Sequence, residues 1–327
     1  MCPTGRNGMI VSRTLSFEGA SVQGVRNVDG PLTRSRVPTV RITRMIEKTK
    51  TPLVSVHGGH SAEFCSHARD TLEEVVLAYI DLGFSWVGLT EHMPAVDDRL
   101  VHDEERSEGL DAAGMRARFG RYIATARALQ RKYAPDIEIL VGFETETCTG
   151  YQDFVRDLID EFEPDYIVGS VHHVADTPID VSKGMFEESV RWAGGVDELY
   201  CAYFDQQFEM VHALRPAVVG HFDLIRMFDP DYTERLERTM IRERVERNLQ
   251  AIAQLDLILD FNGRAISKGQ VEPYVAPTVL RRALELNIPV VPGDDSHGVD
   301  SVGTYSREGG RILAEFGFDT NWRKPAR

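Results

Sequence analysis

The feature that most constrains this chain is a repeat of short apolar runs, each followed by a helical pattern. The runs are rich in β-branched residues and almost continuously apolar, which is typical of parallel strands buried on both faces. Seven such runs occur, at residues 53–56, 86–89, 137–143, 166–171, 217–220, 257–261 and 288–291. Seven parallel strands, each followed by a helix, predict an α/β fold that closes or nearly closes into a barrel.

Helical patterns fill the segments between these runs. We expect Asp70 to cap the first helix and Gly83 to end it. The other predicted helices span residues 115–133, 152–162, 185–214 with an interruption near Gly194 and Gly195, 231–255, 276–286 and 306–316. No glycine-rich phosphate-binding fingerprint follows the first strand, which argues against a dinucleotide-binding fold.

Most of the histidines lie at or just after the predicted strand ends. In a parallel barrel these ends face one mouth. Seven of the ten histidines occupy such positions, namely His57, His60, His67, His92, His172, His221 and His297, while His102, His173 and His212 do not. Together with Glu144 and Asp295 they are too many ligands for one ion and enough for two or three. Lone histidines usually cap strands or bond loops, but seven at one mouth favour a multinuclear site.

Composition limits the compartment, the ligands and the partners. The four cysteines are scattered without a Cys-x-x-Cys pair, which argues against a disulfide framework and a thiolate zinc site and favours a reducing cytoplasm. Imidazole and carboxylate ligands suit Zn, Mn or Fe. No apolar run is long enough to span a membrane. Residues 51–327 carry 28 Lys/Arg against 48 Asp/Glu, a net charge of −20, so we expect no nucleic-acid partner.

The first 50 residues have a different character. Residues 1–44 show no strand or helix period, contain no lysine and are rich in Arg, Ser, Thr and Gly. We predict a disordered N-terminal extension at residues 1–50 and a single catalytic domain at residues 51–327. A transit peptide and a true translation start at Met45 are the alternatives.

Seven segments, in a specific order, resemble metal-dependent phosphoesterases of the polymerase and histidinol phosphatase (PHP) family, and most of all its histidinol-phosphatase branch. They are HGGHSAEFCSH, TEHMP, GFETE, GSVHHV, GHFDLIR, DFNGRAISKGQVEPY and PVVPGDDSHGVDSVG, and the resemblance covers about residues 53–304. It implies a distorted seven-stranded (β/α)7 TIM-like barrel, the PHP fold, with three metal ions.

The resemblance also implies a set of ligands. One ion would be held by His57, His60, Glu144 and Asp295, a second by Glu144, His172 and His221, and a third by His67, His92 and His297. A metal-bridging hydroxide held by Glu144 and Asp295 would be the nucleophile. Two departures from the family pattern occur. His57-x-x-His60 replaces the usual His-x-His, and Gly293-Asp294-Asp295-Ser296-His297 leaves Asp294 as a rival to Asp295.

The substrate side is less defined. Arg226, Arg264 and Lys268 follow strand ends and could pair with a phosphate, or form ordinary salt bridges. Glu146 could meet the cationic end of histidinol or orient a ligand histidine.

The function expected from the resemblance is metal-dependent hydrolysis of a small phosphomonoester. The favoured substrate is L-histidinol phosphate, which would be cleaved to L-histidinol and phosphate in histidine biosynthesis. The alternatives are a nuclease or nucleotide phosphodiesterase, a broader sugar-phosphate phosphatase, and a non-enzymatic metal-sensing or structural protein. The oligomeric state stays open.

Overall fold

The computed structural model describes residues 51–326, so the predicted extension at residues 1–50 lies outside the described residues. Nine strands occur in the described part of the chain. They are β1 Leu53–Gly58, β2 Phe84–Leu89, β3 Glu138–Glu144, β4 Tyr166–Gly169, β5 His173–Val174, β6 Thr177–Pro178, β7 Val218–Val219, β8 Ile258–Asn262 and β9 Val290–Gly293.

Seven of these strands form one parallel sheet in the order β1-β2-β3-β4-β7-β8-β9, while β5 and β6 form a small antiparallel hairpin. Just beyond β9, the backbone N–H groups of Asp294 and Asp295 donate to the carbonyl of His57 in β1, at 3.1 and 2.8 Å. The last strand therefore lies next to the first, and the sheet is a nearly closed barrel. This confirms the predicted fold class and strand count.

Eleven α-helices connect the strands in the described residues. They are α1 Leu72–Leu82, α2 Asp103–Ser107, α3 Ala112–Lys132, α4 Tyr151–Phe162, α5 Lys183–Ala193, α6 Val196–Leu214, α7 Tyr232–Leu236, α8 Thr239–Gln254, α9 Arg264–Ser267, α10 Pro277–Glu285 and α11 Ser306–Phe316. Helices on the outside of the sheet and strands within it share one apolar core. No helix among residues 51–326 is long and apolar enough to cross a membrane.

The first helix shows how local chemistry sets its ends. Thr71 caps α1, because its side chain accepts from the Glu74 backbone N–H while the Glu74 carboxylate accepts from the Thr71 backbone. Gly83 ends the helix in a left-handed conformation, as expected. The predicted cap, Asp70, is wrong by one residue; its carboxylate instead accepts from the backbone N–H of Val299, at 2.8 Å.

Other differences from the sequence-based elements fall in the loops. The helix predicted at residues 231–255 is two helices, α7 and α8, and α2 lies in a segment where no helix was predicted. The fourth strand ends at Gly169, two residues earlier than predicted. Residues 170–172 therefore leave the pleat of the sheet before the β5–β6 hairpin begins.

One large side chain crosses the barrel interior above a glycine. The Tyr166 hydroxyl in β4 donates to the Val56 carbonyl in β1, at 2.7 Å. A Cβ atom at Gly88 would lie 1.7 Å from that hydroxyl oxygen, so this strand position has space only for glycine. The tyrosine links β4 to β1 through the interior and supports the strand ends that carry the site.

Candidate metal centre

The carboxyl ends of the barrel strands meet at one cavity lined by histidines and carboxylates. His57 lies at the end of β1 and Glu144 is the last residue of β3, while the others lie in loops that follow strands. Because the strands are parallel, these loops open at the same end of the barrel. The structure brings together all nine predicted ligands: His57, His60, His67, His92, Glu144, His172, His221, Asp295 and His297.

A first group surrounds the β1 end. Nε2 of His57 lies 3.3 Å from Oε2 of Glu144, and Nε2 of His60 lies 3.3 Å from Oδ1 of Asp295. Ligand-type atoms of His57, His60 and Glu144 all lie within 4.8 Å of one another. The same holds for His57, His221 and Asp295, so the loop after β9 closes this group.

A second group lies on the other side of Glu144. Its Oε1 atom is 2.8 Å from Nε2 of His221 and 3.3 Å from Nε2 of His172. The two histidine Nε2 atoms are themselves 3.2 Å apart. The two oxygens of Glu144 thus face different groups, which is the geometry that a bridging carboxylate requires.

A third group contains one residue that the sequence analysis missed. Nε2 of His297 lies 3.1 Å from Nε2 of His67. The buried thiol of Cys65 belongs to a set with His60, His92 and His297 whose ligand-type atoms lie within 4.8 Å of one another. Cysteine spacing gave no signal, because Cys65 is not part of a Cys-x-x-Cys pair. A thiolate zinc ligand had been argued against, yet this thiol is within reach of the cluster.

Two carboxylates behind the histidines were also missed. Oδ2 of Asp260, in β8, lies 2.9 Å from Nδ1 of His57, and Asp260 is fully buried. Oε1 of Glu91 accepts from the backbone N–H and the hydroxyl of Ser61, at 2.7 and 2.9 Å, while its Oε2 lies 3.4 Å from Nδ1 of His60. Carboxylates in such positions fix the ring orientation and tautomer of a ligand histidine.

The two adjacent aspartates after β9 face different surroundings. Asp294 accepts from the hydroxyls of Ser55 and Tyr79, at 2.7 and 2.8 Å, and from the backbone N–H of Gly303, at 2.6 Å. Burial raises its pKa to about 6. Asp295 is the residue whose carboxylate reaches the histidine cluster. Asp294 thus supports the loop, and Asp295 faces the cavity.

Several atoms of the cluster are buried without a hydrogen-bond partner among residues 51–326. They include Nε2 of His57, both ring nitrogens of His60, Nδ1 of His92 and Oδ1 of Asp295. An unsatisfied buried polar group costs about 1–3 kcal/mol, so a set of them is rarely kept without a partner. Imidazole nitrogens and carboxylate oxygens converging in this way fit divalent cations, and the donor set suits Zn, Mn or Fe.

Charges within the cluster are strongly coupled. Burial alone lowers the pKa of His57, but the Glu144 and Asp295 carboxylates outweigh burial and hold that pKa well above its usual value. Burial would raise the pKa of Glu144, yet His57 and His172 hold it well below its usual range. Burial, with His92 and His60 nearby, lowers the pKa of His67 to about 3, so this histidine is neutral at physiological pH.

The predicted substrate contacts separate into two sets. Arg264 and Lys268 line the cavity and have no ion pair among residues 51–326. The structure does not support the predicted phosphate contact of Arg226. Arg226 is fully buried, its Nη2 donates to the carbonyls of Glu272 and Pro273, and it does not line the cavity. The two remaining cations are close enough to His67 to contribute to its lowered pKa. They give the cavity mouth a positive side.

Comparison with known proteins identifies the family of this chain. A family model described as the PHP domain matches residues 58–264. The curated protein "Probable histidinol-phosphatase" of Schizosaccharomyces pombe is 32% identical over 254 residues, covering 76% of this chain and 82% of that protein. The "Histidinol-phosphatase" of Saccharomyces cerevisiae is 28% identical over 281 residues, covering 76% of this chain and 84% of that protein.

Two solved structures share the fold. The "putative histidinol phosphatase hisK" of Listeria monocytogenes has a TM-score of 0.69 and 29% identity, covering 77% of this chain and 98% of that one. The histidinol phosphate phosphatase HISK of Lactococcus lactis, solved with Zn, L-histidinol and phosphate, has a TM-score of 0.62 and 20% identity. It covers 82% of this chain and 94% of its own, so both likenesses extend over nearly the whole barrel.

Proposed function

This chain belongs to the PHP domain family, and from that membership we propose that it is a metal-dependent phosphatase that hydrolyses L-histidinol phosphate to L-histidinol and phosphate. The observation that carries the proposal is the set of nine histidine and carboxylate side chains at the barrel mouth, beside two cations that have no ion pair among residues 51–326. The identity of the substrate is inferred from the names of the curated relatives reported above.

The residues present fit two or three ions. His57, His60, Glu144 and Asp295 would hold the first, and Glu144 with His172 and His221 the second. His67, His92 and His297 would hold the third, with Cys65 as an additional candidate ligand. Bound divalent ions supply positive charge to phosphoryl oxygens and lower the pKa of a water towards about 7, which makes hydroxide available at neutral pH.

The chain's own residues prepare this chemistry. Asp260 holds the His57 ring so that Nε2 faces Glu144, and Glu146 does the same for His172 through Nδ1, at 3.0 Å. Arg264 and Lys268 would attract the phosphate dianion and hold it at the cavity mouth. The reaction balances as ester plus water giving alcohol plus phosphate, and the leaving alkoxide takes up one proton.

We place the enzyme in histidine biosynthesis and in the cytoplasm, without a nucleic-acid partner. The scattered cysteines, which are free at positions 65, 148 and 201, suit a reducing compartment. The acidic charge of residues 51–327 opposes a polyanionic substrate. A small phosphate ester is accepted because positive charge is local to the cavity mouth.

A substrate panel tests the proposal. Purified full-length protein would be freed of metal with a chelator, reloaded with Zn, Mn or Fe, and assayed with histidinol phosphate, nucleotides, sugar phosphates and short oligonucleotides. We expect the metal-free protein to be inactive and the reloaded protein to have its highest kcat/KM with histidinol phosphate. A higher kcat/KM with oligonucleotides or nucleotides would overturn the proposal in favour of a nuclease or phosphodiesterase.

A further inference from the structure

The Glu146 carboxylate, which the sequence suggested as the group that binds the substrate's cationic end, already contacts other side chains. Oε2 of Glu146 lies 3.0 Å from Nδ1 of His172 and 3.1 Å from Nδ1 of His173, and its Oε1 lies 3.3 Å from Nδ1 of His92. With both oxygens facing histidines, Glu146 has little capacity left for an ammonium group. Another acidic side chain must serve a cationic leaving group.

Asp180 is such a side chain. It follows the β5–β6 hairpin, is half-buried and lines the same cavity as His172 and His221. The backbone N–H of its neighbour Ile179 donates to the His172 carbonyl, at 2.9 Å, which fixes this loop beside the metal cluster. Among residues 51–326, the Asp180 carboxylate has no hydrogen bond and no ion pair.

Among residues 51–326, a buried hydroxyl without a partner lines the same cavity. Tyr274 is 1% exposed, lines the cavity, and its hydroxyl has no hydrogen-bond partner among residues 51–326. Its ring packs edge-on against His221, with ring centroids 6.2 Å apart. A tyrosine hydroxyl is protonated at neutral pH, so it can donate a hydrogen bond.

The remaining surroundings hold this tyrosine rigidly. Its backbone N–H donates to the Asn262 carbonyl at 3.1 Å, and its carbonyl accepts from the Asn262 N–H at 2.6 Å. The Arg226 guanidinium lies 4.8 Å from the ring centroid and also binds the carbonyls of the two preceding residues. This gives the buried arginine a role: it positions Tyr274 rather than binding phosphate.

We propose that Asp180 and Tyr274 form the leaving-group subsite, in which the Asp180 carboxylate pairs with an ammonium group and the Tyr274 hydroxyl donates to a polar atom of the same amino alcohol. The apolar side chains of Pro178, Val181, Leu224 and Met227 line the same cavity and suit a flat ring. The inference rests on the proposed function, because it assigns residues to the histidinol part of that substrate. In this arrangement Asp180 and Tyr274 determine which leaving group is accepted, while the metal cluster binds the phosphate.

Binding of the product separates this role from catalysis. L-histidinol would be titrated calorimetrically into the zinc-loaded protein, and p-nitrophenyl phosphate, whose leaving group carries no cation, would be the comparison substrate. We expect Asp180→Asn to weaken L-histidinol binding by about tenfold, and Tyr274→Phe by several-fold. In both variants, kcat/KM with p-nitrophenyl phosphate and the zinc content should stay within about twofold of the wild-type values.

Two matched variants control for the substitutions. Asp176→Asn removes the same charge from the β5–β6 turn, but its carboxylate already accepts from Thr149. Tyr232→Phe removes a hydroxyl from the other ring beside Arg226, and that hydroxyl is bonded to Glu272. Neither control should change L-histidinol binding by more than about twofold.

The possible results are distinct. Unchanged L-histidinol binding in Asp180→Asn, or an equal fall in p-nitrophenyl phosphate turnover, would overturn the inference. Wild-type protein that hydrolyses p-nitrophenyl phosphate but does not bind L-histidinol would overturn it as well, while leaving a phosphatase. Wild-type protein that binds L-histidinol through Asp180 but hydrolyses no phosphate ester would refute the proposed function and support the subsite.

Discussion

Nδ1 of His57 lies 2.9 Å from Oδ2 of Asp260, and both side chains are completely buried at the base of the cavity. The same carboxylate oxygen accepts from the side-chain amide of Asn262, at 2.8 Å, so it is fixed in place. This leaves Nε2 of His57 directed at Glu144. A residue from the sixth barrel strand thus sets the direction of a ligand from the first.

The first prediction concerns this pair. Asp260→Asn should lower the affinity for the ion held through His57 by roughly 10–100-fold, because the histidine loses the carboxylate that fixes its orientation and raises its basicity. Zinc competition with a chelator measures this. Asp256→Asn is the control, since Asp256 is exposed and, among residues 51–326, pairs only with Arg323. Equal zinc affinity in Asp260→Asn and the wild type would contradict the assignment.

The second prediction compares adjacent histidines. His172→Ala should remove one bound ion and lower turnover by about 100-fold or more, because Nε2 of His172 shares the second group with Glu144 and His221. His173→Ala should keep the full metal content, although Nδ1 of His173 approaches Glu146. Both rings approach Oε2 of Glu146, because the strand ends at Gly169 and the two residues do not alternate across a pleat. Metal analysis that shows the same loss in both variants would refute the distinction.

The third prediction concerns Glu146, whose oxygens face three histidines. Glu146→Gln should lower kcat/KM for histidinol phosphate and for p-nitrophenyl phosphate together, by roughly 10–100-fold, because it weakens the support of His172 and His92. Steady-state kinetics on both substrates provide the measurement. A fall confined to histidinol phosphate would show instead that Glu146 meets the cationic leaving group.

The fourth prediction is a pH dependence of metal binding. Burial lowers the pKa of His57, His60 and His172, but neighbouring carboxylates outweigh it and raise each pKa well above the usual value. Each ring must release its proton before the nitrogen can bind an ion, so affinity should fall as pH drops through these raised values. Calorimetry in two buffers with different ionisation enthalpies should detect proton release at neutral pH. Heats that are independent of the buffer would disprove the coupling.

The fifth prediction tests the barrel interior. Gly88→Ala should lower the free energy of unfolding by at least about 2 kcal/mol, because the added methyl group displaces Tyr166 and breaks its hydrogen bond to Val56. Gly184→Ala in α5 is the control, since its Cβ would meet only Ser182 Oγ, at 3.9 Å. It should be neutral or slightly stabilising. Denaturant unfolding at equal metal loading measures both, and equal stabilities would contradict the packing argument.

The barrel itself was predictable from the sequence because the burial of a strand is reflected in its own residue types. A strand covered on both faces is almost continuously apolar, so runs such as residues 137–143 and 257–261 mark strands without knowledge of their neighbours. The parallel arrangement then places every strand end at one mouth. This is why the residues that follow the strands could be grouped before the structure was known.

Side-chain direction within the loops was decided only by the tertiary structure. Asp295 has a φ of 46°, so the backbone turns at this residue, and Asp294 and Asp295 face different partners although they are adjacent. Cys65 reaches the cluster and Asp180 the cavity wall because separate loops fold over the same mouth, while Arg226 turns inward to the 272–274 segment. Residue type and strand position are local properties, whereas the direction of a loop side chain depends on φ, ψ and contacts from distant parts of the chain.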